Sequence, residues 1–244
     1  MAEFVLLNEQ DHQDVKIITE RSARYGDDVM MALTFPFEFR NVQAHYPILF
    51  QRDGQGTLYP VALFGFEERE NLFLGEAGWC ASYIPAMVRR APFLIGFTES
   101  STASDGRRRM MSLDMAHPRV NTEVGEPLFE PFGGRTPFLE NAANLLEAIY
   151  GGTEHSAAFV AALQEHDLIE SVTFEIVLND GSRNELIGFS AIAEEKVQAL
   201  RGTILGEFND KGYLMPLFMT LASMANVQSL VELKNEKLAR GSNE

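Results

Sequence analysis

Val172-Thr173-Phe174-Glu175-Ile176-Val177-Leu178, the turn Asn179-Asp180-Gly181, and the return Leu186-Ile187-Gly188-Phe189-Ser190-Ala191-Ile192 decide the fold class. Val172, Phe174, Ile176 and Leu178 recur at period two, which places them on one face of a β-strand. Asn-Asp-Gly supplies residues that tolerate the left-handed backbone of a hairpin turn. A second hairpin is predicted upstream. Ala44-His45-Tyr46-Pro47-Ile48-Leu49-Phe50 runs into Asp53-Gly54-Gln55-Gly56, and Leu58–Phe66 returns. Pro47 pushes Tyr46 toward extended geometry. Asn71–Leu74 reads as a short third strand before the turn at Gly75 to Gly78, with Trp79 packed on the hairpin.

Helical signals lie between these strands. Pro85 suits a first helical turn, and Pro92 stops that helix within about two turns. After it, Met110–Asp114 reads as a strand reached from a polar Ser-Thr-rich turn, preceded by Arg107-Arg108-Arg109. The stretch 118–137 mixes Gly, Pro, acids and isolated apolar residues, a loop pinned by Leu128-Phe129 and Phe132. Thr136 is placed to cap, Pro137 fits the first helical position, and Glu140 is read as the capping-box acid. Leu139, Ala142, Ala143, Leu146 and Ile149 form a helical stripe that Gly151-Gly152 is expected to end, with a further helix from about Thr153 to Gln164. A short helix at Glu194–Leu200 and a long one within 213–238 close the chain. Strand hairpins followed by helical runs imply α+β: an antiparallel sheet built from hairpins and covered by helices. We read 1–244 as a single domain with the loop-rich stretch inside it.

The chain has 244 residues, 45% hydrophobic and 23% charged, which excludes a mostly disordered chain. Twenty bases against 35 acids give a formal charge of −15. That balance argues against nucleic acid and anionic membrane as partners. The charge is uneven: 83–119 carries six bases and three acids, an electropositive interruption in an acidic chain. Cys80 is the only cysteine, so no intrachain disulfide forms. The acidic start Met1–Asp11 lacks the basic, apolar character of a secretory signal. The apolar run Tyr213–Ala225 is shorter than the roughly 20 residues of a spanning helix and reads as buried, so membrane insertion is not expected. Localisation is expected to be cytoplasmic, with peripheral association with surface or envelope machinery.

Several segments occur in an order that resembles the bacterial SapC family, named for a surface-layer-associated protein. They are His45–Phe50, Pro60–Gly65, Glu70–Leu74 with Trp79, Tyr83–Ala86, Arg89-Arg90-Ala91-Pro92-Phe93, Gly125–Phe129, Thr136–Leu139, Leu186–Phe189 and Leu221–Gln228. One departure is Ala91, where the family pattern carries an aromatic. The resemblance spans roughly 5–235 and implies an accessory role in a surface-associated process, with no known reaction. A peptide-transport permease that shares the label is distinguished by its membrane spans.

Chemistry is weighed residue by residue. Arg89 and Arg90, with Arg107, Arg108 and Arg109, form a guanidinium-rich region suited to a carboxylate, a phosphate or an acidic peptide; internal ion pairing is the alternative. Tyr46, Trp79, Tyr83 and Phe93 are read either as an apolar pocket beside it or as core. His12-Gln13-Asp14 matches the His-x-Asp part of an iron facial triad, the basis of an alternative metal-dependent oxygenase; the competing reading is an exposed polar start. Asp114 and His117 read as a local turn or a core-edge hydrogen bond, and His155 and His166 as structural or solvent-facing. One arrangement has Arg89 pointing inward and Arg90 facing solvent, so adjacency of the pair does not by itself make a joint clamp. Cys80 has no readable base, and no Gly-x-Ser-x-Gly turn, dinucleotide fingerprint or phosphate loop is present, so no cofactor is expected. Met215, Met219 and Met224 are assigned to the core, with a homo-oligomer face as the alternative. The expected function is non-enzymatic recognition of an acidic protein, an acidic peptide or a small anionic ligand through Arg89 and Arg90, supported by Tyr46, Trp79 and Tyr83.

Overall fold

The computed structural model describes residues 2–99 and 107–241. The Ser-Thr-rich turn expected just before Arg107 lies outside the described residues. Two compact units emerge. One comprises the chain up to Asp27 with Val88–Tyr150; the other comprises Asp28–Met87 with the chain from Gly151 onward. Every strand pairing among the described residues is antiparallel, and helices accompany the sheets, so the architecture is α+β as the hairpins implied.

In the first unit Arg107–Asp114 is the central strand of three, between Phe4–Leu6 and Phe93–Glu99. Phe93–Glu99 escaped the sequence reading because it follows directly on the helix-stopping Pro92. A smaller sheet pairs Lys16–Ile17 with Val120–Asn121 on one side and Glu126–Pro127 on the other. These short strands are set by chain crossings rather than by any local pattern. Val15, Ile17, Phe93, Leu113, Leu128 and Leu139 bury themselves together between these layers. Leu128 and Phe129 pin the loop as expected, but Phe132 is fully exposed and anchors nothing.

Thr136 caps the helix Pro137–Glu165, its Oγ1 accepting from the Leu139 N–H at 3.3 Å. Glu140 does not close a capping box. The box needs its acid three residues after the cap. Glu140 lies one further on and faces Arg135 at 3.9 Å. The helix also fails to stop at Gly151-Gly152 and runs on to Glu165. The reason is packing. A Cβ at Gly152 would sit 2.7 Å from Phe37 Cε1 and 3.2 Å from Phe35 Cγ, so glycine admits two phenylalanines rather than a break.

The second unit holds a five-stranded sheet in the order Ile169–Val177, Arg183–Ile192, Ile48–Arg52, Leu58–Leu63, Met31–Leu33. Both predicted hairpins are there. The strand expected at Asn71–Leu74 is not: the third partner of the first hairpin is Met31–Leu33, and Leu74-Gly75 pairs only with Gly78-Trp79. Trp79 does pack on the hairpin's ends, edge-on to Tyr46 and Phe64. Helix Gly202–Asp210 was unforeseen. The long closing helix is two, Leu214–Ser223 and Asn226–Gly241. By length and mean hydropathy alone Leu214–Arg240 is apolar enough to cross a membrane. Here it breaks at Met224-Ala225, Ser223 Oγ accepts from Ile48 N–H at 2.9 Å, and Leu217 is wholly buried. Burial of such a side chain contributes about 1.5–3 kcal/mol. Met215, assigned to the core, is instead 52% exposed, because Pro216, Leu217, Thr220 and Ser223 occupy the inward face.

Candidate functional site

The first unit contains a cavity of about 230 Å³ whose lining includes Arg21, Arg89 and Arg119 on its polar side and Phe93, Phe138 and Leu145 on its apolar side. Each wall follows from an element already described. Arg119 leaves the turn that Asp114 and His117 form before Val120: the His117 N–H donates to the Asp114 carbonyl at 3.1 Å, and His117 Nδ1 accepts from the Arg119 N–H at 3.2 Å. Arg21 follows the strand Lys16–Ile17, and Arg89 ends the short helix Ala86–Arg89. Phe138, Ala142 and Leu145 sit at spacings of four and three on the long helix, which puts them on one face.

Arg119 is among the most deeply buried side chains, 1% exposed. A bare guanidinium there would be prohibitively costly, so it is paired and hydrogen-bonded. Nη1 donates to the carbonyls of Ile18 at 2.8 Å and Glu20 at 2.5 Å, and Nη2 to Asp27 Oδ2 at 2.5 Å. Arg21 Nη1 reaches the other oxygen of Asp27 at 3.2 Å and the Val88 carbonyl at 3.2 Å. One carboxylate is thus shared by two guanidiniums. Burial first, then the charge of Arg119, holds Arg21 below its ordinary pKa, with Asp27 opposing. The Nε–H of Arg119 has no hydrogen-bond partner among the described residues.

A larger groove of about 450 Å³ in the same unit is lined by Arg108, Arg109 and Arg135 with Glu9 and Glu147. Its guanidiniums are exposed, and two of them face acids: Arg109 lies 3.3 Å from Glu147, with its guanidinium carbon 4.3 Å from the Tyr150 ring centre, and Arg135 lies 3.9 Å from Glu140. Exposed pairs of this kind are worth about 0–1 kcal/mol. The smaller cavity instead brings Arg21, Arg89 and Arg119 to one site, where Arg21 and Arg119 share the Asp27 carboxylate.

The residues singled out from sequence fall as follows. Arg89 and Arg90 belong to the first unit; Tyr46, Trp79 and Tyr83 belong to the second. Arg89 is exposed and lines the cavity, whereas Arg90 is half-buried and donates to the Phe93 carbonyl at 3.0 Å, so the two adjacent side chains do different things and do not form a joint clamp. Tyr46 is fully buried; its hydroxyl donates to the Tyr83 carbonyl and accepts from Trp79 Nε1 at 2.8 Å. Burial pushes that phenol well above its usual pKa. The Tyr83 hydroxyl donates to Glu38 Oε2 at 2.8 Å, as does the Ala86 N–H, and Thr34 Oγ1 donates to Oε1 at 2.8 Å. This network satisfies a wholly buried carboxylate.

His12, expected in an exposed start, is buried, with Nδ1 2.9 Å from the Asn8 carbonyl oxygen; Asp14 is exposed. Among the described residues no group of three or more His, Cys, Asp or Glu is placed to hold a metal ion, so the metal-enzyme alternative finds no support. His155 is exposed and stacks on Tyr213, and His166 tilts against Phe208. Cys80 is free and exposed. Sequence reasoning missed Arg21, Asp27 and Arg119. The only signal available was the basic excess of 83–119, which contains Arg119 and Arg89.

A family model described as SapC matches residues 7–230. No curated protein and no solved structure matches the chain.

Proposed function

The chain belongs to the SapC family, and from that premise we propose that it is a binding protein of a bacterial surface-associated process that receives an anionic group at Arg21, Arg89 and Arg119. Membership in the family supports a non-enzymatic, accessory or binding role. The observation that carries the finer reading is the sharing of Asp27 by the buried guanidinium of Arg119 and the half-buried one of Arg21, beside a cavity that Arg89 also lines. One carboxylate balances one of those two cations. An incoming anion completes the compensation, and a charge-assisted hydrogen bond from a guanidinium contributes more than a neutral one.

Arg90 is assigned to holding the Phe93 carbonyl, and Tyr46, Trp79 and Tyr83 to stabilising the second unit through Glu38. The acid-balanced groove at Arg109 and Arg135 is not given the binding role.

Calorimetric titration of untagged protein at low salt with octanoate, inorganic phosphate and a tetraglutamate peptide tests the reading. At least one of these anions is expected to bind saturably, and Arg89→Gln to weaken it about tenfold, which is about 1.4 kcal/mol. Arg89 is exposed, and thermal unfolding of Arg89→Gln checks that the variant folds. Absence of binding by all three, or equal affinity in Arg89→Gln, overturns the proposal.

A further inference from the structure

Resting on that reading, we infer that the ligand of the arginine-lined cavity is a monocarboxylate carrying an apolar body, whose carboxylate meets the guanidiniums and whose body lies along Phe93, Phe138, Ala142 and Leu145. At about 230 Å³ the cavity is smaller than the roughly 300–1,000 Å³ typical of drug-sized ligands, so the occupant is small or enters by one end. Its two sides ask for different chemistry. The polar side is cationic: Arg119 is 1% exposed and has committed its Nη groups to Ile18, Glu20 and Asp27, so Arg21 and Arg89 are the more exposed guanidiniums of the lining.

Phe93, Phe138, Ala142 and Leu145 offer no donor, although Thr19 and Asn141 also line the cavity. A phosphate presents oxygens in every direction, and those turned toward Phe93, Phe138, Ala142 and Leu145 would lose water without gaining a partner. A multiply charged peptide segment has the same difficulty at each further carboxylate. A planar carboxylate directs both oxygens to one side and leaves the rest of the molecule to bury carbon, which is favourable by about 25 cal/mol per Å². The source is either a free organic acid or the C-terminus of a peptide ending in an apolar residue, since both present the same group.

The test is titration of the full chain with octanoate, octanol, inorganic phosphate, tetraglutamate and a phenylalanine-terminated tripeptide, the last as free acid and as amide. Octanoate is expected to bind at least tenfold more tightly than octanol, phosphate or tetraglutamate. The tripeptide acid binding while its amide does not marks a chain terminus as a source; octanoate binding alone marks a free acid. Ala142→Leu, which fills the apolar side without touching an arginine, is expected to weaken octanoate about tenfold. Arg21→Lys, which keeps the charge and removes the fork, is expected to do the same. Thermal unfolding of each variant checks that it folds. Should Ala142→Leu fail to fold, the octanoate–octanol difference still decides. Phosphate or tetraglutamate binding as tightly as octanoate, in a manner sensitive to Arg89→Gln, overturns the ligand class and leaves the anion-binding reading standing. Octanol matching octanoate overturns the ligand class as well. Failure of every anion to bind overturns both.

Discussion

Arg119 shows what it takes to keep a cation out of water: a carboxylate at 2.5 Å and two backbone carbonyls absorb its Nη groups, and an aromatic ring lies beside it with Tyr25 at 5.1 Å. His117 feels the consequence. Burial first, then the Arg119 charge, holds its imidazole below the ordinary value, while Asp114 and Asp27 pull the other way and Arg90 adds to the lowering. The unfolded chain therefore takes up this proton at higher pH than the folded one. The associated stability is complete above about pH 6.5 and is lost as pH falls below it. His117→Asn keeps an acceptor for the Arg119 N–H and removes the titration. Its urea midpoint is expected to fall less between pH 7 and pH 5 than that of the parent; parallel profiles would contradict this. Little of this was legible in sequence. Arg89 stood out in an Arg-Arg pair, but Asp27 and Arg119 are 92 positions apart and no local pattern links them. His12 was misjudged for the same reason, since burial is decided by distant chain.

Among elements, those defined by their own periodicity were readable and those defined by a neighbour were not. The hairpin from Ile169 to Ile192 announces itself through alternation and its Asn-Asp-Gly turn. Strands Lys16–Ile17 and Glu126–Pro127 are two residues each and exist only because they meet. Gly151-Gly152 looked like a terminator, yet it lies inside a 29-residue helix because Phe35 and Phe37 need the missing Cβ. Gly125 is the opposite case, where the backbone itself demands glycine. Its φ is +113°, and a Cβ would stand 2.4 Å from the Ile17 carbonyl oxygen. Gly125→Ala is expected to cost about 1–3 kcal/mol by urea unfolding. Because Ile17 lines the cavity, it should also weaken octanoate binding. A variant as stable as the parent would show that the loop relaxes freely.

For the whole molecule, net charge and site charge point in opposite directions. At −15 the chain repels anions at long range, while the stretch 83–119 supplies two of the three arginines that line the cavity. Composition revealed that inversion but not the cavity, because Arg21 comes from the acidic N-terminal part and the apolar wall from a helix beyond Pro137. Family order across 7–230 was legible as a whole although its individual segments are short. The most direct test of the anion-binding account is a nitrogen-15 spectrum of the arginine Nε–H groups during octanoate titration. The resonances of Arg21 and Arg119 are expected to move together and saturate, while those of Arg108 and Arg109 stay in place. Movement confined to Arg108 and Arg109, or no movement at all, would contradict it.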